Sequence, residues 1–271
     1  MEPTRRLAPL PLKNVTVSGP FWGPRLETNR RHTLRAILEQ LERVGVVDAL
    51  DASKPPAPMP FWRNADGVTP VMFWDSDLAK WIEAVAYSLE SRPDTQLEAQ
   101  ADEIIARLVA LQQPDGYLDS FFIVREPQGK FVNERDWHEM YCAGHLLEAA
   151  VAYFQATGKR VLLDALIRYV DLLATVYGPG PGQKRGYPGH EELELALVKL
   201  WRLSGEERFL NFARYLVEER GRQPVYFDQE ARERGVDPET FTQKTYEYMQ
   251  AHRPVREHDV VVGHAVRATY L

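Results

Sequence analysis

The sequence is poor in cysteine and has no long apolar run. Its 271 residues include one cysteine, Cys142, so no disulfide can form within the chain, which fits a reducing compartment. No segment approaches the roughly 20 consecutive apolar residues of a membrane-spanning helix. The first residues, 1–14, lack the apolar core of a secretory signal. We therefore expect a cytoplasmic protein that has no membrane partner.

Clusters of one charge sign are also missing. Lys and Arg number 33 against 39 Asp and Glu, for a formal net charge of −6, and the two signs are interspersed along the chain. Without a basic run, a nucleic-acid partner is not expected. The sequence also lacks Gly-x-Ser-x-Gly, a P-loop and Gly-x-Gly-x-x-Gly. Hydrolysis by a Ser-His-Asp triad and nucleotide binding therefore have no support.

The sequence does contain a helical pattern that repeats. Apolar residues recur every three or four positions in most of the chain. Residues 152–163 and 199–210 match each other. In each copy an apolar helix ends at Thr-Gly or Ser-Gly, and charged residues then open a second apolar helix. The period of about 47 residues indicates helical hairpins that stack side by side.

Stacked hairpins form either an open solenoid or a closed α/α toroid, and the loops favour the toroid. The turns at Thr157-Gly158 and Ser204-Gly205 are short, whereas the connections at the other end are long and rich in Gly, Pro, Trp and His. These long connections span residues 51–74, 117–137, 178–190 and 221–258. Elaborate loops on one face are typical of a functional face. The sequence therefore predicts an all-α fold, an incomplete (α/α)6 toroid of helical hairpins.

The two ends of the chain carry further predictions. Leu12–Val17 alternates apolar and polar residues, which indicates a short N-terminal β-strand. We place this strand and its lead-in at residues 1–23 and the partial barrel at residues 24–271. Gly263–Leu271 has the pattern of a helix that begins there and stops without a C-terminal cap, and about three hairpins precede it. The barrel is therefore expected to be truncated at its C-terminal side.

The densest polar cluster, residues 136–145, contains His138 and His145. On a helix the two imidazoles would lie about 10 Å apart, too far for one ion with bonds near 2 Å. The spacing also differs from the His-Glu-x-x-His of zinc proteases. We therefore predict no metal site here, while substrate contact and buried packing both stay open. His264 repeats the arrangement after Gly263, at the start of another apolar helix.

Carboxylates and the cysteine are weaker candidates. The two carboxylates of a glycosidase flank the scissile bond, about 5 or 6.5–9.5 Å apart, which neighbours such as Asp75 and Asp77 seldom achieve. We expect one of them to cap the following helix and the other to face the cavity, with Asp77 either the N-cap or an acid of the first turn. Cys142 lies in an apolar helical run, where a free cysteine is usually buried. Trp74 and the Phe61–Asn64 loop combine aromatic and polar side chains, as sugar sites do.

Several stretches, in order along the chain, carry a family resemblance. They are Val15–Trp22, Phe73–Ala84, Gln113–Leu118, His138–His145, Gly189–Ala196, Lys199–Tyr215, Arg253–Glu257 and Gly263–Arg267. Together they resemble the N-terminal half of the catalytic domain of glycoside hydrolase family 127, the β-L-arabinofuranosidase family. The resemblance implies an (α/α)6 barrel followed by β-sandwich domains, and retaining hydrolysis of terminal β-L-arabinofuranosides.

The resemblance also implies where the chemistry lies. In that family a zinc-bound Cys thiolate is the nucleophile, a Glu is the general acid/base, and one Glu and three Cys hold the zinc. These residues lie later in the family's chain than Leu271. No catalytic residue and no metal ligand is therefore expected in this chain, and the fragment is expected to be inactive, with zinc only in the complete enzyme. Cys142 does not match the motif of the nucleophile.

Substrate contact is the role that the resemblance transfers to this chain. By position in the motifs, His138 and His264 correspond to histidines that line the sugar site. Asp75, Trp74 and the Phe61–Asn64 loop are their expected neighbours. The expected partner is a carbohydrate, and the sequence leaves open whether the complete protein forms a homodimer.

Two alternatives to this function stay open. One is another α/α-toroid carbohydrate enzyme, such as a family 146 relative, an unsaturated-uronide hydrolase or a sugar epimerase. The other is a non-catalytic sugar-binding or scaffold protein. A cysteine cluster further along the complete chain would distinguish a thiolate glycosidase from both.

Overall fold

The computed structural model describes residues 10–54, 63–64, 67–68, 72–240 and 246–271, and these are mostly helical. The α-helices are α1 (Trp22–Thr28), α2 (Leu34–Arg43), α3 (Trp74–Ser91), α4 (Thr95–Ala110), α5 (Ser120–Val124), α6 (Glu139–Thr157), α7 (Val161–Val176), α8 (Leu193–Ser204), α9 (Glu207–Glu219), α10 (Tyr226–Glu233) and α11 (Ala265–Tyr270). A two-residue antiparallel ladder pairs β1 (Arg63–Asn64) with β2 (Gly67–Val68). None of the described helices is both long and apolar enough to cross a bilayer.

Short helical turns occupy several connections. A π-helical turn, Asn29–Thr33, continues α1 into α2. Turns of 3-10 helix lie at Leu12–Asn14, Asp48–Leu50, Pro127–Gly129, Pro238–Thr240, Tyr246–Met249 and Val255–Glu257. Most of these turns fall in the long connections that the sequence places on one face.

The predicted hairpin repeat is confirmed down to its hydrogen bonds. α6 ends at Gly158 and α8 at Gly205, with φ angles of 76° and 72°, a left-handed conformation that favours glycine. Thr157 and Ser204 donate their hydroxyls to the carbonyl four residues earlier, at 2.6 and 2.9 Å. Each hydroxyl also accepts from the amide two residues later, at 3.2 Å in both copies. The two turns are therefore the same structure built twice.

Three hairpins stack in two layers. The helices α3, α6 and α8 lie side by side as the inner layer, and α4, α7 and α9 each pack against the inner helix of their own hairpin. The central helix, α6, is buried along almost its whole surface between Glu139 and Tyr153, because α3 and α8 cover its two sides. A helix that is apolar nearly all round is typical of such a position. The all-α hairpin fold predicted from the sequence is confirmed.

The predicted N-terminal strand is wrong. Leu12–Asn14 forms a turn of 3-10 helix, and Val15–Ser18 has no strand partner among the described residues. These residues are exposed, and Lys13 N donates to Glu90 Oε1 of α3 at 3.3 Å. Alternation predicts a strand only where a neighbouring strand completes the ladder, and here a helix lies alongside. The domain division at residue 23 stays a prediction.

Candidate functional site

Aromatic and imidazole rings converge at the ends of the inner helices. We call this group the ring cluster; its members are His138, Tyr141, His190, Tyr248, His264 and Tyr270. The centroid of the His190 ring lies 6.0 Å from that of His138 and 5.9 Å from that of His264. Tyr141 and Tyr270 lie 4.6 and 5.9 Å from the same imidazole. The two histidines predicted from the sequence are thus brought together, with His190 between them.

His138 sits at the start of α6 in an unusual backbone conformation. Its φ is 58°, in the left-handed region that residues with a side chain rarely adopt. Its Nδ1 lies 2.8 Å from the carbonyl oxygen of Asp136, so Nδ1 donates and Nε2 is the acceptor. Burial lowers the pKa of His138 to about 4, and the imidazole is therefore neutral at neutral pH.

A buried network holds the loop that leads into His138. The carboxylate of Glu139 accepts from the amide of Phe131 at 2.8 Å and from the hydroxyl of Tyr117. Glu134 accepts from the hydroxyl of Tyr177 at 2.6 Å. Burial, together with the nearby carboxyl of Asp119, raises the pKa of Glu139 to about 8. Because both ends of the loop are tied to buried groups, the left-handed residue is held in place.

His190 is a site residue that the sequence reasoning did not identify. Its Nδ1 lies 3.0 Å from the carbonyl of Glu191, and burial lowers the pKa of His190 to about 3. The preceding Gly189 donates its amide to Glu134 O at 3.0 Å. A Cβ at Gly189 would lie 2.2 Å from Arg135 O. Only glycine therefore lets this loop pack against the loop of His138 and bring the two imidazoles together.

His264 reaches the ring cluster from the start of α11. Its Nδ1 accepts from Arg267 N at 3.5 Å, and its own amide donates to Tyr248 O at 3.3 Å. The guanidinium of Arg267 lies 4.5 Å above the ring of Tyr248. Arg267 is 6% exposed, and its Nε and Nη1 have no hydrogen-bond partner among the described residues. This buried donor set beside His264 was also missed, because a lone Arg in a helical pattern gives no signal.

Trp74 and Asp75 are not part of the ring cluster. Each is 1% exposed. Trp74 Nε1 donates to Ser120 Oγ at 2.6 Å, and Asp75 accepts from both the amide, at 2.7 Å, and the hydroxyl of Ser120. The neighbouring Phe73 is the residue that reaches the site, with its ring 5.0 Å from that of His138. The structure therefore makes Trp74 and Asp75 supports for the start of α3, with no exposed surface for a sugar.

The other residues predicted from the sequence are two aspartates, the Phe61–Asn64 loop and Cys142. Neither Asp75 nor Asp77 caps α3, whose N-cap is Phe73 without a side-chain hydrogen bond, so the capping prediction is wrong. Asp77 is instead an acid of the first turn, the other prediction for this residue. Within the Phe61–Asn64 loop, the first two residues lie outside the described part of the chain. Cys142 is fully buried, and burial raises the pKa of its thiol well above the usual range. It is therefore not a thiolate nucleophile.

The family's zinc set does not fit this chain. One Glu and three Cys are needed, and the sequence holds a single cysteine. That cysteine, Cys142, lies in α6, where burial and the charges of Asp119 and Asp75 raise the pKa of the thiol and so disfavour a thiolate. No step of bond cleavage is therefore assigned to residues of this chain.

Comparison with known proteins decides the family. A family model described as the β-L-arabinofuranosidase, GH127 catalytic domain, matches residues 14–270. The chain belongs to this family. It is 33% identical to the non-reducing end β-L-arabinofuranosidase of Bifidobacterium longum subsp. longum, over 95% of this chain and 42% of that protein.

Solved structures of GH127 proteins have the same fold. The crystal structure of a GH127 β-L-arabinofuranosidase from Geobacillus stearothermophilus superposes with a TM-score of 0.86 at 43% identity, covering 95% of this chain and 40% of that one. A GH127 β-arabinofuranosidase matches with a TM-score of 0.78 at 34% identity, over 97% of this chain and 39% of that one. This GH127 chain thus spans about two fifths of the length of these relatives.

Proposed function

We propose that this GH127 chain forms one wall of the sugar site of a retaining β-L-arabinofuranosidase. The observation that supports the proposal best is a row of three imidazoles, His138, His190 and His264. The ring centroid of His190 lies about 6 Å from those of both His138 and His264. Neutral imidazoles bind hydroxyl groups, each offering one donor and one acceptor. A row of them fits a furanose, which presents hydroxyls around a small ring.

The hydrogen bonds within the chain define what each imidazole offers. Nδ1 of His138 and Nδ1 of His190 donate to backbone carbonyls, so Nε2 of each accepts from a sugar hydroxyl. Nδ1 of His264 accepts from a backbone amide, so its Nε2 donates. Two acceptors and one donor, with the guanidinium of Arg267 beside them, orient a sugar through directional hydrogen bonds.

Bond cleavage is proposed to depend on the complete enzyme. The nucleophile, the general acid/base and the zinc that the family resemblance implies have no counterpart in this chain. When bound, zinc would keep a coordinated cysteine thiol ionised at neutral pH. The residues of this chain bind the sugar, orient it and exclude water around it.

Titration of the purified chain with a methyl β-L-arabinofuranoside tests the proposal. We expect saturable binding, weakened at least tenfold in His190→Ala and in His264→Ala, and weaker binding of the α-L anomer. His32→Ala, which removes an exposed imidazole, is the matched control and should bind like the wild type. Equal affinity of the wild type and both site variants would refute the assignment of the ring cluster.

We also propose a cytoplasmic location and a carbohydrate as the binding partner. The single cysteine is consistent with a reducing compartment, and the interspersed charges argue against a nucleic-acid surface. Fractionation of the source cells with an antibody to the chain tests the location. Recovery with secreted protein would contradict it. A homodimer of the complete protein stays open.

A further inference from the structure

A second buried polar group lies beneath the ring cluster and takes no part in the proposed sugar contacts. His145 and Glu148 lie one turn apart on α6. Glu192, the residue before α8, faces both of them. His145 Nδ1 lies 3.1 Å from Glu192 Oε1 and 3.8 Å from Glu148 Oε2. One ligand atom from each of the three residues lies within 4.8 Å of the other two. Three different side chains thus point at one position.

These atoms are buried, and most of them are unpaired. His145 is 3% exposed, and Glu192 is fully buried. Both imidazole nitrogens of His145 and both carboxylate oxygens of Glu192 lack a hydrogen-bond partner among the described residues. Buried polar atoms are normally paired with protein groups or water, and buried charges are paired or coordinate metal ions. Nδ1 of His145 and Oε1 of Glu192 face each other at 3.1 Å without hydrogen-bond geometry, so a ligand bound between them would satisfy both atoms.

The backbone permits this convergence at one residue. A Cβ at Gly144 would lie 2.6 Å from Glu192 Cγ and 2.7 Å from Leu193 N. Any larger residue would push the start of α8 away from α6 and separate Glu192 from its partners. The close approach depends on glycine inside a helix, where glycine is otherwise unfavourable.

Lys199 orients one carboxylate. Its ammonium contacts Glu148 Oε1 and lies 3.5 Å from Glu83, so Glu148 Oε2 is left to face His145. Carboxylates that bind metals are commonly held by such a hydrogen bond to their other oxygen. Without an ion, burial and the neighbouring Glu148 raise the pKa of Glu192 to about 10, so its carboxyl holds a proton at neutral pH. A divalent cation would take the place of that proton.

We propose that His145, Glu148 and Glu192 bind a zinc ion. Zinc bonds of about 2.0–2.2 Å in a tetrahedron separate the ligand atoms by roughly 3.3–3.6 Å, and the observed 3.1 and 3.8 Å lie on either side of this value. One imidazole and two carboxylates suit zinc, and a water molecule completes the tetrahedron. This site contains no cysteine, so it differs from the set of one Glu and three Cys that the resemblance implies. It also does not depend on the proposed sugar site.

The ion would join two elements that carry the ring cluster. Glu192 follows His190 by two residues, and the ring of Tyr141 lies 4.5 Å from His145 and 4.6 Å from His190. The prediction of no metal site rests on the spacing of His145 and His138 along one helix. Chain folding instead supplies Glu192, from a distant part of the sequence, as its partner.

Zinc binding to the untagged, chelator-stripped chain tests the proposal. We expect about one zinc per chain after gel filtration, measured by elemental analysis, and a rise in melting temperature on adding zinc. Glu192→Gln and Glu148→Gln should each weaken zinc binding at least tenfold. Glu103→Gln, an exposed carboxylate on α4, is the matched control and should leave the affinity unchanged.

Three results would overturn the site. One is the absence of zinc in the wild type even at excess metal, which would mean that the carboxyls share a proton instead. Another is zinc that persists in both Gln variants but is lost in His258→Ala, which would place it at the stacked His252–His258 pair, 4.6 Å apart. The third is sulfur in the X-ray absorption spectrum of the bound zinc. Circular dichroism checks that each variant is folded. The zinc-dependent rise in the melting temperature of the wild type tests the site even if a variant does not fold.

Discussion

At the residue scale, His138 combines a strained backbone with a ring that belongs to the proposed sugar site, and two substitutions separate these roles. Asparagine tolerates the left-handed region better than alanine does. We expect His138→Asn and His138→Ala to lower kcat/KM of the complete enzyme by tenfold or more alike, because both remove the hydrogen-bonding ring. His138→Ala should also unfold more readily than His138→Asn, by about 1 kcal/mol.

Urea unfolding and steady-state kinetics on the same two variants check this prediction. The two readouts should separate: activity lost in both, stability lost more in the alanine variant. If the asparagine variant kept wild-type kcat/KM, the ring of His138 would not touch the sugar. If both variants were equally stable, the positive φ of 58° would carry no strain.

The buried imidazole of His138 also predicts a pH dependence of stability. Burial lowers its pKa to about 4, below the value near 6.5 of an unfolded chain. As pH falls below 6.5 the unfolded state takes up the proton first, so stability is lost between about pH 6.5 and pH 4. This group alone should cost about 2 kcal/mol at pH 4.5 relative to pH 7.

The measurement compares unfolding free energies at pH 7 and pH 4.5 in the wild type and in His138→Asn. The variant should lose less stability over this interval, because it has no imidazole to protonate at this position. An identical loss in both proteins would mean that His138 titrates normally in the folded state.

At the element scale, Gly189 controls how the His190 loop meets the His138 loop. In Gly189→Ala the added Cβ would lie 2.2 Å from Arg135 O, so the loop must move and His190 with it. We expect sugar binding by the chain to fall at least tenfold while the helical circular dichroism stays unchanged.

Gly158→Ala is the matched control for this prediction. Gly158 also precedes a helical segment and has φ of 76°, but a Cβ there meets nothing within 4 Å. It should cost about 1 kcal/mol of stability through backbone strain and leave sugar binding intact. If Gly158→Ala reduced binding as much as Gly189→Ala, general destabilisation would explain both effects.

Local chemistry explains which elements were predictable. The hairpin turns were predicted because Thr-Gly and Ser-Gly carry their own signal: a hydroxyl that bonds the last turn and a glycine with positive φ. The strand at Leu12–Val17 was not formed, because a strand depends on a partner that lies elsewhere in the chain. The caps at Asp75 and Asp77 failed for a similar reason, since Asp75 bonds Ser120, 45 residues away.

The site divides in the same way. His138 and His264 were predicted through family motifs at helix starts, and the structure brings them together through His190. His190 lies at the end of a Gly- and Pro-rich loop without periodicity, and its place in the Gly189–Ala196 motif was the one signal that could have identified it. Arg267 and Glu192 have roles only after distant segments pack against them. The spacing of His138 and His145 along one helix gave no information about partners from other helices.

At the scale of the whole molecule, the proposed wall of the sugar site is separate from the one cysteine of the chain. The ring cluster offers imidazole and phenol groups with the guanidinium of Arg267 beside them, and Cys142 is buried with its pKa raised. The relatives are more than twice as long as the matched region. We therefore expect the purified 271-residue chain to bind β-L-arabinofuranosides without hydrolysing them.

A fluorogenic β-L-arabinofuranoside incubated with the purified chain measures this directly, with zinc and a thiol reductant added so that neither is limiting. Release should equal the buffer blank, whereas a full-length GH127 enzyme should turn over in the same well. Turnover by the chain itself would contradict the proposal that bond cleavage depends on the complete enzyme. The carboxyl groups of the chain would then be the candidates for catalysis. Glu139→Gln and Asp77→Asn would then be compared, because these carboxyls lie in the first turns of the inner helices α6 and α3. Loss of turnover in only one of the two variants would identify the carboxyl that catalysis requires.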